Sequence, residues 1–452
     1  MTESATIVID LGSFSTKIGF GGYNKPTMIN PSMVGRSLYP HALKGWGEVT
    51  KKSTYIGEKL LEALPYIETE YLINPQGEQY SINWEGVEEM YTKLFTEDLK
   101  IKDLSSTTVV HVLSPYFNTE DMNKLAEIMF ESLGILEFNF VHEAFSAKLF
   151  VEGLHGLIVD VGHLSTRIYP YYEGTIMYDY TTKLSVGGLD LTNELIKLLD
   201  NSGLHLHTRD QFEIVTEIKN SCCSANPFLG GKDPNEIKKK YGEIDLTQEE
   251  NQEESNLGGI DDLDLDSDLD LDSLSLKNQD LLNLNGLNSE LEKLIYQDFV
   301  KDSGYEVIEC ELPDGRKVSL GTDRLQIAEC LFSPNRVGIN ELGLHKKIEQ
   351  TILQSPIDTR SALLESIVLT GGTSELQFLS DRIIFDVSNC EKIKAEAIIK
   401  PLKNKDDHKY LSWLGASAIG NLCIQMPSLL IDKEEYKETG QSIVSQKLIK
   451  HI

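Results

Sequence analysis

Positive charge is scarce in this sequence of 452 residues. Its 42 lysines and arginines stand against 71 aspartates and glutamates, which gives a formal net charge of −29 at pH 7. Binding to nucleic acid depends on clustered cations that release counterions from phosphates, and anionic membrane surfaces also attract basic segments. The composition therefore predicts neither direct contact with nucleic acid nor binding to a membrane.

Cysteine and long apolar runs are sparse as well. The six cysteines form no CxxC pair and no zinc spacing with histidine, and no apolar run reaches the roughly 18 residues of a membrane span. The patterns HExxH, GxSxG and GxxxxGK[ST] are absent, and no GxGxxG follows a strand-like run. These absences argue against zinc proteases, serine hydrolases of the nucleophile-elbow type, P-loop proteins and dinucleotide-binding enzymes.

One acidic segment differs from the rest of the chain. No lysine or arginine occurs from Tyr241 to Leu276, and thirteen acids fall between Glu243 and Asp272. A strand with an aspartate at every second position would stack like charges on one face, which disfavours a strand. We therefore expect residues 230–290 to form a disordered acidic insertion. A solvated loop and a contact with a basic partner are the alternatives for its role.

The clearest pattern is an internal repeat with an offset of 150 residues. Residues 7–20 read IVIDLGSFSTKIGF, and residues 157–170 read LIVDVGHLSTRIYP. Each copy is an apolar run, a turn centred on glycine and a second strand-like run, which is typical of a β-hairpin. The repeat predicts two similarly folded α/β lobes. Helical patterns are predicted at 86–98, 119–133, 190–200 and 375–388.

The repeated hairpins carry residues suited to phosphate and a divalent cation. Asp10 and Asp160 end equivalent strands, so we expect two carboxylates to face one cleft, where Mg²⁺ would offset their repulsion. A glycine in each turn, Gly12 and Gly162, would let the backbone approach a phosphate, and Lys17 would add positive charge. The alternative is that both aspartates cap ordinary turns.

A third glycine turn, at Gly371 and Gly372, follows the strand-like run 367–370 and would lie against a base or ribose. The two hairpins and this turn together resemble the superfamily of actin, sugar kinases and heat-shock-chaperone ATPases. Similarity to actin itself covers nearly the whole chain except 230–290. The stretches that carry it are Tyr172–Gly174, Val186–Thr192, Glu311–Arg316, Leu331–Asn335, Leu363–Ser374, Lys409–Gly415 and Asp432–Gly440.

The resemblance implies a two-lobed α/β actin-like fold with a nucleotide cleft that holds ATP or ADP with Mg²⁺. The first lobe would cover 1–150, with a small second subdomain at about 34–72. The second lobe would cover 151–452, and the C-terminal tail would return to the first. By motif, the phosphates and Mg²⁺ would be held by Asp10, Gly12, Ser13, Lys17, Asp160 and Gly162, with Asp10 and Asp160 acting on Mg²⁺ through water. Adenosine would be held by Lys219, Gly371, Gly372, Thr373 and Lys409.

The sequence departs from actin where actin arranges hydrolysis. Residues 141–144 read VHEA, whereas actin has a glutamine that positions water at the start of this helix. His163 replaces an aspartate of actin, and Arg167 replaces a histidine. Either His142 or Glu143 could orient a water. The resemblance therefore implies nucleotide binding with no enzymatic role beyond a residual slow ATPase.

Within the family, Gln354–Arg360 and Leu184–Gly188 are similar to the actin-related protein at the pointed end of dynactin. We expect a cytoplasmic, cytoskeletal subunit that caps or docks onto actin-like partners in a multiprotein complex and forms no long homofilaments. Residues 36–57 argue against the pointed end, because homologues there tend to shorten this part. The alternatives are an actin-related subunit of a nuclear chromatin-remodelling complex and a small-molecule kinase of the same fold. Only Lys238–Lys240 resembles a nuclear signal, which favours the cytoplasm.

Overall fold

The computed structural model describes residues 6–37, 54–77, 79–201, 203–206, 209–226, 307–311, 317–321, 323–390, 392–393, 397–400, 402 and 405–449. The chain divides into two units, one formed by Met1–Gly230 with Leu325–Ile452 and the other by Gly231–Arg324. The expected acidic insertion and the Lys238–Lys240 cluster lie outside the described residues. In the ranges given above, no helix combines the length and the apolar character needed to cross a membrane.

The described residues form both strands and helices, which are numbered here in chain order. The strands are β1 (Thr6–Leu11), β2 (Ser15–Phe20), β3 (Met28–Pro31), β4 (Met33–Ser37), β5 (Thr54–Tyr55), β6 (Ile67–Tyr71), β7 (Ile73–Gln76), β8 (Gln79–Ile82), β9 (Thr108–Leu113), β10 (Glu137–His142), β11 (Gly156–Val161), β12 (Thr166–Tyr172), β13 (Thr175–Ile176), β14 (Thr182–Leu184), β15 (Ile308–Glu311), β16 (Lys317–Leu320), β17 (Ile367–Thr370) and β18 (Ile431–Asp432). The helices are α1 (Glu58–Ala63), α2 (Trp84–Lys93), α3 (Thr119–Glu127), α4 (Glu143–Phe150), α5 (Gly188–Asn201), α6 (Arg209–Cys222), α7 (Asp323–Gln326), α8 (Glu329–Phe332), α9 (Leu344–Gln354), α10 (Arg360–Leu364), α11 (Leu379–Ser388), α12 (Leu411–Gln425), α13 (Lys433–Thr439) and α14 (Ser442–Gln446).

The first sheet contains the first copy of the repeat. Its strand order is β18-β10-β9-β1-β2-β3, and β9 runs parallel to both β1 and β10. In the hairpin of β1 and β2, Asp10 lies opposite Lys17. Strand β18 pairs antiparallel with β10. A segment near the end of the chain therefore completes the sheet that its first strands begin.

The second sheet contains the second copy. Its order is β13-β12-β11-β17, β14 also pairs with β12, and β11 runs parallel to β17. In the hairpin of β11 and β12, Asp160 lies opposite Arg167. This is the register of the first hairpin shifted by 150 positions, so the structure confirms the predicted hairpin repeat.

Helix α12 connects the parts of this unit that surround the site. The indole N–H of Trp413 donates to the Val8 carbonyl of β1, at 3.1 Å. On α4, the Ser146 hydroxyl donates to the carbonyl of Ser412. A Cβ at Gly415 would lie only 1.7 Å from the Ser146 carbonyl oxygen, so glycine permits the close approach of α12 to α4. These contacts fix the start of α12 beside the two hairpins.

The other predicted elements are found with small changes at their ends. The helices predicted at 86–98 and 119–133 are α2 and α3, each continued by a π-helical segment, and the helix at 190–200 is α5. The helix expected from 375 begins only at Leu379, because Gly372–Glu375 forms a 3₁₀ turn and Phe378 adopts a positive φ of 61°. Strands β4, β5 and β6 form a small sheet within the region expected as a second subdomain.

Candidate functional site

A cavity of about 360 Å³ lies between the turns of the two hairpins, within the range that small-molecule sites occupy. It is formed by stretches that are far apart in the sequence, including both hairpin turns, α6, the turn after β17 and the start of α12. All eleven site residues predicted from the sequence line it, namely Asp10, Gly12, Ser13, Lys17, Asp160, Gly162, Lys219, Gly371, Gly372, Thr373 and Lys409.

The first hairpin places a cation beside its carboxylate. Lys17 Nζ lies 3.3 Å from Asp10 Oδ2, and both side chains are mostly buried. A Cβ at Gly12 would lie 2.8 Å from the Ser15 carbonyl oxygen and 3.1 Å from Lys17 Nζ. Glycine therefore keeps the turn tight and leaves the lysine room to reach the cavity.

The second hairpin leaves its carboxylate in a different setting. Arg167, opposite Asp160, donates to the Pro115 carbonyl at 2.9 Å and lies over the Tyr116 ring at 5.0 Å from its centre. Burial raises the pKa of Asp160 to about 6; Arg167 opposes the rise, and the charge of Asp10 adds to it. A cation next to this carboxylate would therefore stabilise its ionised form.

These two acids fit a water-mediated Mg²⁺ site. Asp10 and Asp160 provide hard oxygen donors, and the charge of Asp10 disfavours ionisation of Asp160 unless a cation lies near both. In the part of the chain that the structure describes, no three acidic, histidine or cysteine side chains gather around one point. Mg²⁺ commonly keeps several waters and takes one or two carboxylates together with phosphate oxygens. The donor set is therefore sufficient for Mg²⁺ that arrives with a nucleotide.

The third glycine turn packs directly on the second hairpin. Gly371 has φ +88°, and a Cβ there would lie 2.3 Å from Asp160 Oδ1. Thr373 donates its hydroxyl to the Gly162 carbonyl at 3.0 Å. The position beside Gly372 is open, with nothing within 4 Å of a built Cβ. The turn thus presents a bare backbone surface to the cavity, as a flat base or ribose would need.

Two lysines on the wall differ in their surroundings. Lys219 on α6 is buried, and its ammonium donates to the Gly188 carbonyl and the Thr192 hydroxyl, both at 3.0 Å. Burial lowers its pKa to about 8. Lys409 is more exposed and lies 3.3 Å from Glu375.

The structure decides between His142 and Glu143 as the residue that faces the cavity. His142 is the N-cap of α4, where its Nδ1 accepts the N–H of Ala144 at 3.2 Å. Glu143 lines the cavity and accepts a hydrogen bond from the Tyr169 hydroxyl. Burial raises the pKa of Glu143 to about 8, Arg167 opposes this, and Asp160 and Asp10 add to it.

Several lining residues were not predicted. Pro115 and Tyr116 follow β9, the strand next to β1, and their place after a parallel strand is the signal that could have found them. Thr216 lies one helical turn before Lys219, so the helical period would have added it. His163 is held neutral, because burial lowers its pKa to about 3, and it packs on Phe14 with ring centres 5.0 Å apart.

Comparison with known proteins agrees with this geometry. The actin family model matches residues 1–449. The chain is 26% identical to actin-related protein 2 of Saccharomyces cerevisiae, over 97% of each protein. It is 25% identical to putative actin-29 of Dictyostelium discoideum, over 98% of this chain and 97% of that protein. It is 26% identical to actin-like protein 7A of Rattus norvegicus, over 96% of this chain and 81% of that protein. A match over almost the whole chain, on a fold with two equivalent hairpins, shows that this protein belongs to the actin family.

Proposed function

We propose that this protein is an actin-related structural subunit that binds ATP with Mg²⁺ and hydrolyses it poorly. The observation that carries the proposal is the convergence of the eleven predicted residues on one cavity. The turns at Gly12 and Gly162, with Lys17, would hold the phosphates, and Asp10 and Asp160 would hold the waters of Mg²⁺. When bound, the metal supplies positive charge that neutralises phosphates and carboxylates together.

The adenosine would lie against the opposite part of the wall. The bare backbone of Gly371 and Gly372 suits a flat ring, and Thr373 ties this turn to the second hairpin. Lys219 and Lys409 provide the polar groups on this side.

A bound nucleotide would also stabilise the fold, because its contacts come from both hairpin turns and therefore from both sheets. A ligand at 100 times its Kd adds about 2.7 kcal/mol to the free energy of unfolding. The protein would use ATP as a structural clamp, which agrees with the departures from actin at Glu143, His163 and Arg167.

The test is the combined substitution of Asp10→Ala and Asp160→Ala, with thermal unfolding measured with and without Mg²⁺ and ATP. We expect the wild type to gain several degrees on addition of ligand and the variant to gain none. The control is Glu68→Ala with Glu70→Ala, two exposed acids on β6, which should respond like the wild type. A ligand-induced shift that survives the loss of both aspartates would reject the proposal.

We further propose that the protein acts at the pointed end of dynactin, in the cytoplasm, where it caps or docks onto actin-like partners. The support is the similarity of Gln354–Arg360 to the actin-related protein of that end. Within this stretch, the Ile357 side chain is 75% exposed and therefore accessible to another protein. Purification of the tagged full-length protein under native conditions, followed by mass spectrometry, tests this. Dynactin subunits should co-purify. A chromatin-remodelling ATPase in their place would reject the cytoplasmic role and leave the nucleotide site untouched.

A further inference from the structure

The second hairpin carries a polar arrangement that nucleotide binding does not require. Tyr169 on β12 donates its hydroxyl to Glu143 at the start of α4, and both side chains are buried. We propose that Tyr169 holds the Glu143 carboxyl back from the water that would attack bound ATP, and that this positioning keeps the nucleotide intact. The inference rests on the proposed ATP site.

The register of the second hairpin shows where the carboxyl is held. Arg167 lies opposite Asp160, and Tyr169 lies opposite Ile158. Two residues along a strand span about 6.6 Å, so Tyr169 begins one row further from the turn than Asp160 does. The turn at Gly162, beyond Asp160, is the proposed phosphate site. The Glu143 carboxyl is therefore tied to a residue that lies one row further from the phosphate turn than Asp160.

Arg167 lies on β12 between the hairpin turn and Tyr169, and it cannot act as a base. It projects from the same face of β12 as Tyr169, because residues two apart on a strand share a face. Its guanidinium is fixed by the Pro115 carbonyl and by the ring of Tyr116. A guanidinium does not give up its proton near neutral pH and cannot accept one. Arg167 therefore cannot replace Glu143 as a proton acceptor on this wall.

The chemistry explains why the position of Glu143 matters. In hydrolysis, a water oxygen forms a bond to the γ-phosphorus, and the bond from this phosphorus to the β–γ bridging oxygen breaks with its electron pair leaving on ADP. One proton of the water must pass to a base. Glu143 can accept it only as a carboxylate within about 3 Å of that water. Burial raises the pKa of Glu143 to about 8 and the hydrogen bond from Tyr169 opposes this rise, so hydrolysis is compared above pH 8, where the carboxyl is ionised.

Tyr169→Phe tests the proposal, because it removes the hydroxyl and keeps the ring. The released carboxyl should reach the water, and hydrolysis of bound ATP should rise at least about tenfold, since a positioned general base contributes roughly 10² to 10⁴. Adding Glu143→Ala to Tyr169→Phe should abolish the gain. The matched control is Tyr171→Phe, which removes another buried hydroxyl of β12, one that lies 3.2 Å from Ser366 Oγ.

The measurements separate this proposal from the proposed function. Each protein is loaded with ATP and Mg²⁺, the bound nucleotide is extracted with acid at intervals, and the ATP to ADP ratio is determined. Affinity for a non-hydrolysable ATP analogue is measured in parallel and should be unchanged in the two tyrosine variants. Normal binding with no faster hydrolysis in Tyr169→Phe, or a gain that survives Glu143→Ala, overturns the inference alone. A wild type that binds no analogue overturns the proposed function and the inference with it.

Discussion

The two hairpins share one register but treat charge differently. In the first, Lys17 lies 3.3 Å from Asp10, so the pair largely neutralises itself. In the second, Arg167 occupies the equivalent position but donates to the Pro115 carbonyl, and burial raises the pKa of Asp160 to about 6. The first hairpin thus provides a counterion for its own aspartate, whereas the carboxylate of Asp160 would be stabilised by a cation that binds from solution. This asymmetry is what a protein stabilised by Mg²⁺ and a nucleotide would need.

The largest predicted effect comes from a substitution in the turn at Gly371, which packs on the second hairpin. In Gly371→Ala, the new Cβ would meet Asp160 Oδ1 at 2.3 Å on a backbone with positive φ. We expect a loss of roughly 4 kcal/mol in the free energy of unfolding and loss of ATP binding. Urea unfolding measures the first and analogue binding the second. Gly372→Ala, where the space is open, should cost less than about 1 kcal/mol. Equal losses in the two variants would contradict the packing described.

The next largest effect is expected in the pH dependence of the free energy of unfolding of the nucleotide-free protein. The folded-state pKa of Glu143 is raised to about 8, and Asp10, Asp160, Arg167 and Tyr169 are the groups that act on it. Its contribution to stability is therefore fully present below the unfolded pKa near 4.5 and is lost as the pH rises through 8. Between pH 5 and 8 we expect this loss to be about 3 kcal/mol.

Urea unfolding of the wild type and of Glu143→Gln across this pH range isolates the effect. The variant cannot ionise at this position, so its stability should fall less with rising pH. Parallel curves for the two proteins would show that Glu143 titrates as it does in water.

Substitution of the two aspartates should change the free energy of unfolding by smaller amounts and in opposite directions, measured in the nucleotide-free protein at pH 7.5. Asp160→Asn removes a partly buried charge and should add about 1 kcal/mol to the free energy of unfolding. Asp10→Asn breaks a mostly buried ion pair with Lys17 and should cost about 1 kcal/mol. Both variants should weaken binding of ATP with Mg²⁺. Changes of the same sign in the nucleotide-free protein would contradict the asymmetry between the hairpins.

Much of this site could be predicted because its chemistry lies on local elements. The strand, the glycine turn and the next strand of each hairpin are adjacent in sequence, so Asp10 and Asp160 could be matched by the repeat alone. The turn at Gly371 was also visible as a strand followed by two glycines. Site residues can be predicted from the sequence where one short segment provides both the backbone geometry and the polar group.

The remaining features depend on which distant segments meet. In the sequence, nothing distinguishes Tyr169 from other strand residues. Its role depends on the packing of α4, which places Glu143 within hydrogen-bonding distance. The repeat places Arg167 in the position equivalent to Lys17, yet its longer, planar side chain contacts the Pro115 carbonyl and the Tyr116 ring. Such choices of partner are made by tertiary packing and leave no period or motif in the sequence.

The nucleotide content of the purified wild type tests the central claim most directly. The protein is desalted, denatured with acid, and its nucleotide and Mg²⁺ are quantified, with and without prior treatment with a chelator. We predict close to one nucleotide per chain, mainly ATP, and its loss after chelation, since the second hairpin depends on the cation. A protein that carries and rebinds no nucleotide while remaining fully folded would contradict the account.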